Sequence, residues 1–221
     1  AAWRRRAALR EGGLDTAYRL VHGEADALPG LFVDRWGEAL VVEARTLAWS
    51  PWLSPVLDTL ERLEKPKGIL LRLRSGEEGE GKVELARGKV PPEELEVREA
   101  GLQYRVRPWE LKTGLFPDER ENRLWLSPHC EGKTVLNAFA FTGAFSASAL
   151  AAGASKVTSL DLSGPILSRL RANLKLNRLE RKNRHEAVKG EVLETLAAWA
   201  KEGKRRFDVI ILDPPAYATH T

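Results

Sequence analysis

Leu136-Asn137-Ala138-Phe139-Ala140-Phe141-Thr142-Gly143-Ala144 is the stretch that decides the architecture. It closes a short apolar run over residues 133–140 and turns through small residues into a segment of helical pattern over 142–152. Similar apolar runs follow at 156–162, 185–188 and 207–212, with helical patterns over 165–177 and 192–202 between them. Runs this short and this apolar read as strands buried on both faces. Strand alternating with helix predicts a parallel α/β sheet with right-handed crossovers.

In such sheets ligands bind beyond the carboxyl ends of the strands, so the residues there are the candidates for chemistry. The small-residue turn after Asn137 lets backbone amides approach a ligand, and the helix N-terminus behind it favours an anionic group such as an amino-acid carboxylate. Asp161, 24 residues beyond Asn137, ends the second strand, where a carboxylate can accept hydrogen bonds from both ribose hydroxyls of a nucleoside cofactor. Its plainer role is to cap the helix that follows. The fourth strand runs into Asp213-Pro214-Pro215-Ala216-Tyr217. Two prolines there stiffen the backbone, and carbonyls freed from ladder pairing can face a planar substrate. Tyr217 is placed to stack on a flipped base, with simple packing as the alternative.

Two other nucleotide-binding classes are disfavoured. A dinucleotide site needs G-x-G-x-x-G after the first strand, and Gly143 is the one glycine in that turn. The G-x-x-x-x-G-K-[ST] phosphate loop is missing too.

The first hundred residues have a different texture. Short strands at 18–21, 31–35 and 39–43 are separated by Pro29-Gly30 and Trp36-Gly37 turns, which gives the segment hairpin character. Ser50-Pro51 opens a helix to about Leu63, with Leu53, Val56, Leu57, Leu60 and Leu63 at helical spacing. Further strands are expected at 68–73, 82–87, 95–99 and 102–106, with a solvated loop over 75–81. The expected organisation is an α+β domain over 1–107 and a second, α/β domain over 108–221.

The chain has 221 residues, 43% of them hydrophobic, enough for one sizeable core and a smaller satellite. No run is long and apolar enough to span a bilayer, and the start Ala1-Ala2-Trp3-Arg4-Arg5-Arg6 lacks the apolar core of a signal peptide, so a cytoplasmic protein is expected. One cysteine, Cys130, excludes an intrachain disulfide framework and a cysteine-rich zinc site, and no metal is expected. The net charge of +4 is unevenly placed: residues 1–100 carry 16 basic and 18 acidic side chains, the remainder 19 and 13. Arg4-Arg5-Arg6, the run Arg169, Arg171, Lys175, Arg178, Arg181, Lys182, Arg184, and Lys189 are candidate phosphate contacts. Trp3, Trp36, Trp49 and Trp52 are candidates for base stacking, against the commoner role of core residues.

Three stretches carry a resemblance. Lys112-Thr113-Gly114-Leu115-Phe116-Pro117-Asp118-Glu119-Arg120-Glu121-Asn122-Arg123, the turn from Val135 to Phe145, and Asp213-Pro-Pro-Ala-Tyr together resemble the bacterial large-subunit rRNA methyltransferase family that includes the 5-methylcytosine enzymes. Tyr18 to Asp26 and Leu28 to Arg35 are similar to that family's central domain. The resemblance implies a Rossmann-like class I methyltransferase sheet and S-adenosylmethionine (SAM) as cofactor. It implies Thr113, Phe116 and Arg120 in a motif that closes over SAM, and Asn137, Phe139, Thr142 and Gly143 on its methionine side. It further implies Asp161 and Leu162 at the ribose, Glu191 and Val192 near the adenine, and Asp213, Pro214, Pro215 and Tyr217 lining the pocket of the target base. Asn137 stands where many methyltransferases have Asp, and Glu191 where Asp is usual.

The resemblance also implies large-subunit rRNA as partner, an RNA-binding PUA domain before residue 1 and further strands after Thr221; no membrane partner is expected, and a homodimer is left open. A methyltransferase sheet has about seven strands, and a sheet stopping at the fourth leaves an apolar edge, so an incomplete chain is expected. The absence of methionine fits a fragment.

The target atom stays open at this level. Methylation of cytosine C5 requires a cysteine thiolate to add at C6 and a base to take the C5 proton. Cys130 precedes the first strand of the sheet, at the end opposite the ligand edge, so the nucleophile is expected beyond residue 221, as the resemblance implies. Methylation of a nitrogen of a purine base requires no covalent step and is the alternative. A non-catalytic RNA-binding module that kept the fold is a third reading, against which Asp161 and Asp213-Pro-Pro argue.

Overall fold

The computed structural model describes residues 2–73, 82–181 and 183–215; the expected loop at 75–81, Lys182 and Tyr217 lie outside them. The chain forms two compact units, Ala1–Arg120 and Glu121–Thr221.

The first unit opens with two short helices, α1 (Ala2–Arg5) and α2 (Ala7–Glu11), which hydropathy alone does not announce. Strands β1 (Ala17–His22), β2 (Leu31–Trp36), β3 (Ala39–Ala44), β4 (Gly68–Leu73) and β5 (Val83–Gly88) form one sheet in sequence order. Helix α3 (Leu53–Glu64) links β3 to β4. Hairpin pairing holds for β1 with β2, β2 with β3 and β4 with β5, but β3 and β4 run parallel. The hairpin character read over the first three strands holds, and the parallel step follows from α3, since parallel neighbours need a long crossover. α3 starts at Leu53 because Ser50 and Pro51 lie in a preceding 3-10 turn over Leu47–Trp52, capped by the Thr46 hydroxyl. Leu57 and Leu60 on its inner face join Leu20, Leu31, Val33, Leu40, Val42, Ile69 and Leu71 in the core.

All six residues of β3 are buried, Glu43 among them. Glu43 stands opposite Arg72 on β4, and the two pair at 3.3 Å with both side chains nearly excluded from water. Arg72 Nη2 also donates to the Glu110 carbonyl at 2.8 Å. A buried guanidinium is tolerated only when paired in this way. A separate hairpin, β6 (Leu95–Glu99) with β7 (Leu102–Val106), follows. The unit extends to Arg120, past residue 107, because the next segment is tied back onto it: Arg107 N–H donates to the Thr113 carbonyl at 2.7 Å and Asp118 pairs with Arg19 at 2.9 Å.

Helix α4 (Arg120–Leu126) leads into the second unit, which holds β8 (Thr134–Ala138), α5 (Ala144–Ala151), β9 (Lys156–Asp161), α6 (Gly164–Leu176), β10 (His185–Lys189), α7 (Val192–Glu202) and β11 (Val209–Leu212). The four strands are parallel, in the order β10-β9-β8-β11. That order reverses direction between β8 and β11, the switch point where doubly wound sheets open a ligand crevice. Leu136, Ala138, Leu160 and Val192 form the core on one face, with Trp199 and Phe207 packed against it. β11 is an edge strand of the described sheet, and Ile210 and Leu212 on it are more than half exposed.

Candidate cofactor site at the strand ends

Strand register places the candidate residues side by side. Leu212 is level with Ala138, Ala138 with Leu160, and Lys189 with Asp161. The next residue of β11 is Asp213 and the next of β8 is Phe139, so Asp213, Phe139 and Asp161 share one edge of the sheet, with Glu191 two residues past Lys189.

The turn after β8 is unusual in its backbone. Phe139, Phe141 and Gly143 all have positive φ, at 60°, 48° and 82°. Non-glycine residues rarely adopt this region, and such strain persists only where the surroundings hold it. Two contacts hold it here. Ala140 N–H donates to the Leu160 carbonyl at 3.0 Å, and Phe141 N–H donates to Asp161 Oδ2 at 2.9 Å. The other oxygen, Oδ1, accepts the Ser163 amide at 2.9 Å. Asp161 thus joins the turns after two strands. Capping of α6 falls instead to Ser163, whose hydroxyl accepts from Ile166 N–H. A carboxylate offers about four lone-pair positions, so two remain after these backbone bonds for a pair of hydroxyls.

Gly143 is required twice over. Its φ suits glycine, and a Cβ added there would lie 2.4 Å from Cγ of Leu170, a core residue of α6. Close packing of turn against helix brings the first-turn amides of α5 to the strand-end edge. Leu162, directly after Asp161, is 64% exposed and offers an apolar face there.

Beneath the turn lies a buried polar chain that sequence reading missed. Asn137, 1% exposed, donates through Nδ2 to Ser146 Oγ at 2.8 Å. Ser146 and Ser159 hydroxyls are 2.7 Å apart, and Ser159 Oγ lies 2.9 Å from Nε2 of His185. Burial, with the charge of Arg171, pulls His185 down to about 4, so the ring is neutral near pH 7. Asn173 Nδ2 donates to the carbonyl of buried Thr142 at 3.0 Å and fixes the turn from α6. The available signal was two serines, Ser146 and Ser159, on surfaces that are otherwise apolar.

The sequence candidates therefore divide. Asp161, Leu162, Phe139, Gly143 and Asp213 sit at the edge itself. Asn137 and Thr142 lie under the turn with their side chains enclosed, and Val192 buries its side chain in the core. Glu191 caps α7, its Oε2 accepting Glu194 N–H at 2.6 Å. Pro214 and Pro215 follow Asp213 on the exposed surface, and Tyr217 lies outside the described residues. Thr113, Phe116 and Arg120 belong to the first unit. There Thr113 Oγ1 donates to the Leu115 carbonyl at 3.2 Å, Phe116 is 42% exposed, and Arg120 pairs with Asp15 at 2.7 Å. Cys130 is fully buried, 3.6 Å from the Leu126 carbonyl, and burial pushes its thiol up. Among the described residues no group of three or more His, Cys, Asp or Glu could hold a metal, and no helix is long and apolar enough to cross a membrane.

Comparison with known proteins gives the family. A ribosomal RNA large subunit methyltransferase of Deinococcus radiodurans is 38% identical over 99% of this chain and 56% of its own length. The ribosomal RNA large subunit methyltransferase I of Shigella boydii is 36% identical over 94% of this chain and 53% of its own. The chain thus spans about half the length of the curated relatives it matches. Among solved structures, a provisionally assigned SAM-dependent methyltransferase from Streptococcus mutans superposes with a TM-score of 0.86 at 27% identity, covering 97% of this chain and 56% of that one. A provisionally assigned methyltransferase complexed with SAH gives the same TM-score and identity over 98% of this chain and 56% of that one. The family described as S-adenosylmethionine-dependent methyltransferase matches residues 55–221. With more than half its length matched, and with a Rossmann-like sheet whose strand ends carry Asp161 and Asp213, the chain belongs to the S-adenosylmethionine-dependent methyltransferase family.

Proposed function

We propose that this chain is the cofactor-binding part of an RNA methyltransferase that modifies a base of large-subunit rRNA. The observation that carries the cofactor half of this reading is the Asp161 carboxylate, braced by the Phe141 and Ser163 amides at the crevice edge. Bound there, SAM supplies an electrophilic methyl group. Asp161 would hold the ribose hydroxyls, Leu162 and the α7 N-terminus beside Glu191 the adenine, and the α5 N-terminus the amino-acid carboxylate. Thr113, Phe116 and Arg120 are assigned to the cofactor by the family resemblance alone. Asp213, Pro214 and Pro215 would present rigid backbone to the target base, with Tyr217 beyond them.

The rRNA half of the reading rests on the relatives, which are named as large-subunit rRNA methyltransferases. Cytosine C5 is the favoured acceptor, by resemblance to the 5-methylcytosine enzymes. Buried Cys130 does not suit the required thiolate, so the nucleophile in this reading comes from outside the described residues. A cytoplasmic location follows from an rRNA substrate. Incubating the whole protein, of which this chain is the cofactor-binding part, with isotopically labelled SAM and unmodified rRNA, followed by mass spectrometry of nucleosides, tests the reading. Labelled 5-methylcytidine supports it; label on a purine nitrogen moves the acceptor; no label in rRNA overturns it.

A further inference from the structure

The first unit holds a cleft of about 610 Å³ beside the 3-10 turn before α3, and neither the fold nor the cofactor site accounts for it. Its lining includes Glu24, Pro29, Gly30, Arg45, Trp49 and Trp52. Trp52 is 61% exposed, a large apolar ring presented to solvent beside a groove. Trp49 is fixed in orientation, its Nε1 donating to the Pro29 carbonyl at 2.8 Å. The Gly30 wall is close: a Cβ there would lie 3.1 Å from Cγ2 of Thr46 and 3.9 Å from Nε1 of Trp49.

Arg45 is held ready at the same cleft. Its guanidinium carbon lies 4.1 Å from the centre of the Phe32 ring, which in turn lies against Gly23 so closely that a Cβ would meet Cζ at 2.8 Å. Arg45 Nε donates to Glu43 Oε1 at 2.8 Å, and about half of the side chain is exposed. Stacking on Phe32 and the bond to Glu43 pre-organise a planar fork, the geometry suited to a phosphate. Glu24, whose Oε1 accepts the Gly30 amide at 3.2 Å, lines the same cleft, where Arg45 is the cationic group. An exposed ring with an adjacent oriented guanidinium is the combination that binds single-stranded nucleic acid: ring against base, cation against phosphate.

We propose that this cleft is a docking subsite for one nucleotide of single-stranded RNA, its base stacked on Trp52 and its phosphate on Arg45. The proposal rests on the RNA-methyltransferase reading and extends it to a surface separate from the strand-end residues. The test is fluorescence anisotropy of a labelled single-stranded adenosine oligoribonucleotide titrated with the protein, alongside SAM calorimetry and a melting curve for each variant. Trp52→Ala is expected to weaken oligonucleotide binding by about ten-fold or more, and Trp52→Phe by clearly less, because a ring remains. Arg45→Ala is expected to weaken it too and to lower the slope of log affinity against log salt by about 0.7, one phosphate contact. SAM affinity should be unchanged in all three. Equal RNA binding by wild type and Trp52→Ala overturns the subsite and leaves the RNA reading standing. Absence of RNA binding by the wild type overturns both. Weakened RNA binding together with weakened SAM binding or a lowered melting temperature in both Trp52 variants also counts against the subsite, since it marks a structural role.

Discussion

Arg120 donates through Nε and Nη2 to a single oxygen of Asp15, at 2.9 and 2.7 Å, across 105 residues of sequence. The other Asp15 oxygen accepts the Ala100 amide at 2.6 Å. The arginine of the segment that most resembles the rRNA methyltransferases is therefore anchored within the first unit by a nearly buried carboxylate. Removing either partner leaves a charge poorly solvated. Asp15→Ala is expected to cost about 2–4 kcal/mol, and Arg120→Lys less, as one donor remains within reach. Urea denaturation of the two variants checks the difference; equal and negligible losses would show that the pair is not structurally coupled.

Gly143→Ala forces a methyl group against Leu170 and places alanine at φ 82°. The expected loss is about 3 kcal/mol or more, with weakened SAM binding because the turn must shift. Leu170→Ala added to it should relieve the clash but not the backbone strain. Thermal melting of the single and double variants separates the two parts, and an undisturbed melting temperature for Gly143→Ala would contradict the packing described.

His185 offers a pH signature. Its folded value of about 4 lies below the ordinary 6.5, so between these the unfolded chain binds more protons than the folded one. Stability from this group is thus intact above pH 6.5, falls as pH drops through the window and levels off below 4. His185→Gln should flatten that decline while disturbing the bond to Ser159. Denaturation midpoints at several pH values read this directly, and parallel pH profiles for wild type and variant would sink the assignment.

The buried thiol of Cys130 gives a clean mechanistic prediction. Cys130→Ala, made in the whole protein, should retain methyl transfer to RNA, because the thiol neither ionises readily nor reaches the surface. Loss of transfer with SAM binding and fold intact would instead make Cys130 the nucleophile.

How much of this was legible in the sequence follows from which interactions are local. The strands of the second unit could be read because uninterrupted apolar runs such as Val209–Leu212 stand between helical patterns. Boundaries shifted where backbone conformation overrode hydropathy: β8 stops at Ala138 because Phe139 turns to positive φ, although Phe139 and Ala140 continue the apolar run. The parallel step from β3 to β4 was not legible, since pairing depends on how α3 packs. Nor was the chain from Asn137 to His185, which exists only because β8 and β9 align Asn137 with Ser159. Among the basic residues, composition suggested phosphate contacts at Arg5 and Arg6, but both pair with Asp26, and Arg184 donates to the Ala154 carbonyl. Trp36 is wholly buried whereas Trp52 is exposed, a difference that the residue type alone does not disclose.

Asp161 and the turn it braces are the proposed hold on SAM. Isothermal calorimetry of SAM with the wild-type protein and with Asp161→Ala, each checked for fold by circular dichroism, tests it most directly. Binding by the wild type and a loss of about a hundred-fold in the folded variant is the expected result, since two ribose hydrogen bonds to a charged acceptor and the brace on the turn go together. Undiminished SAM affinity in a folded Asp161→Ala protein would rule out that role for Asp161.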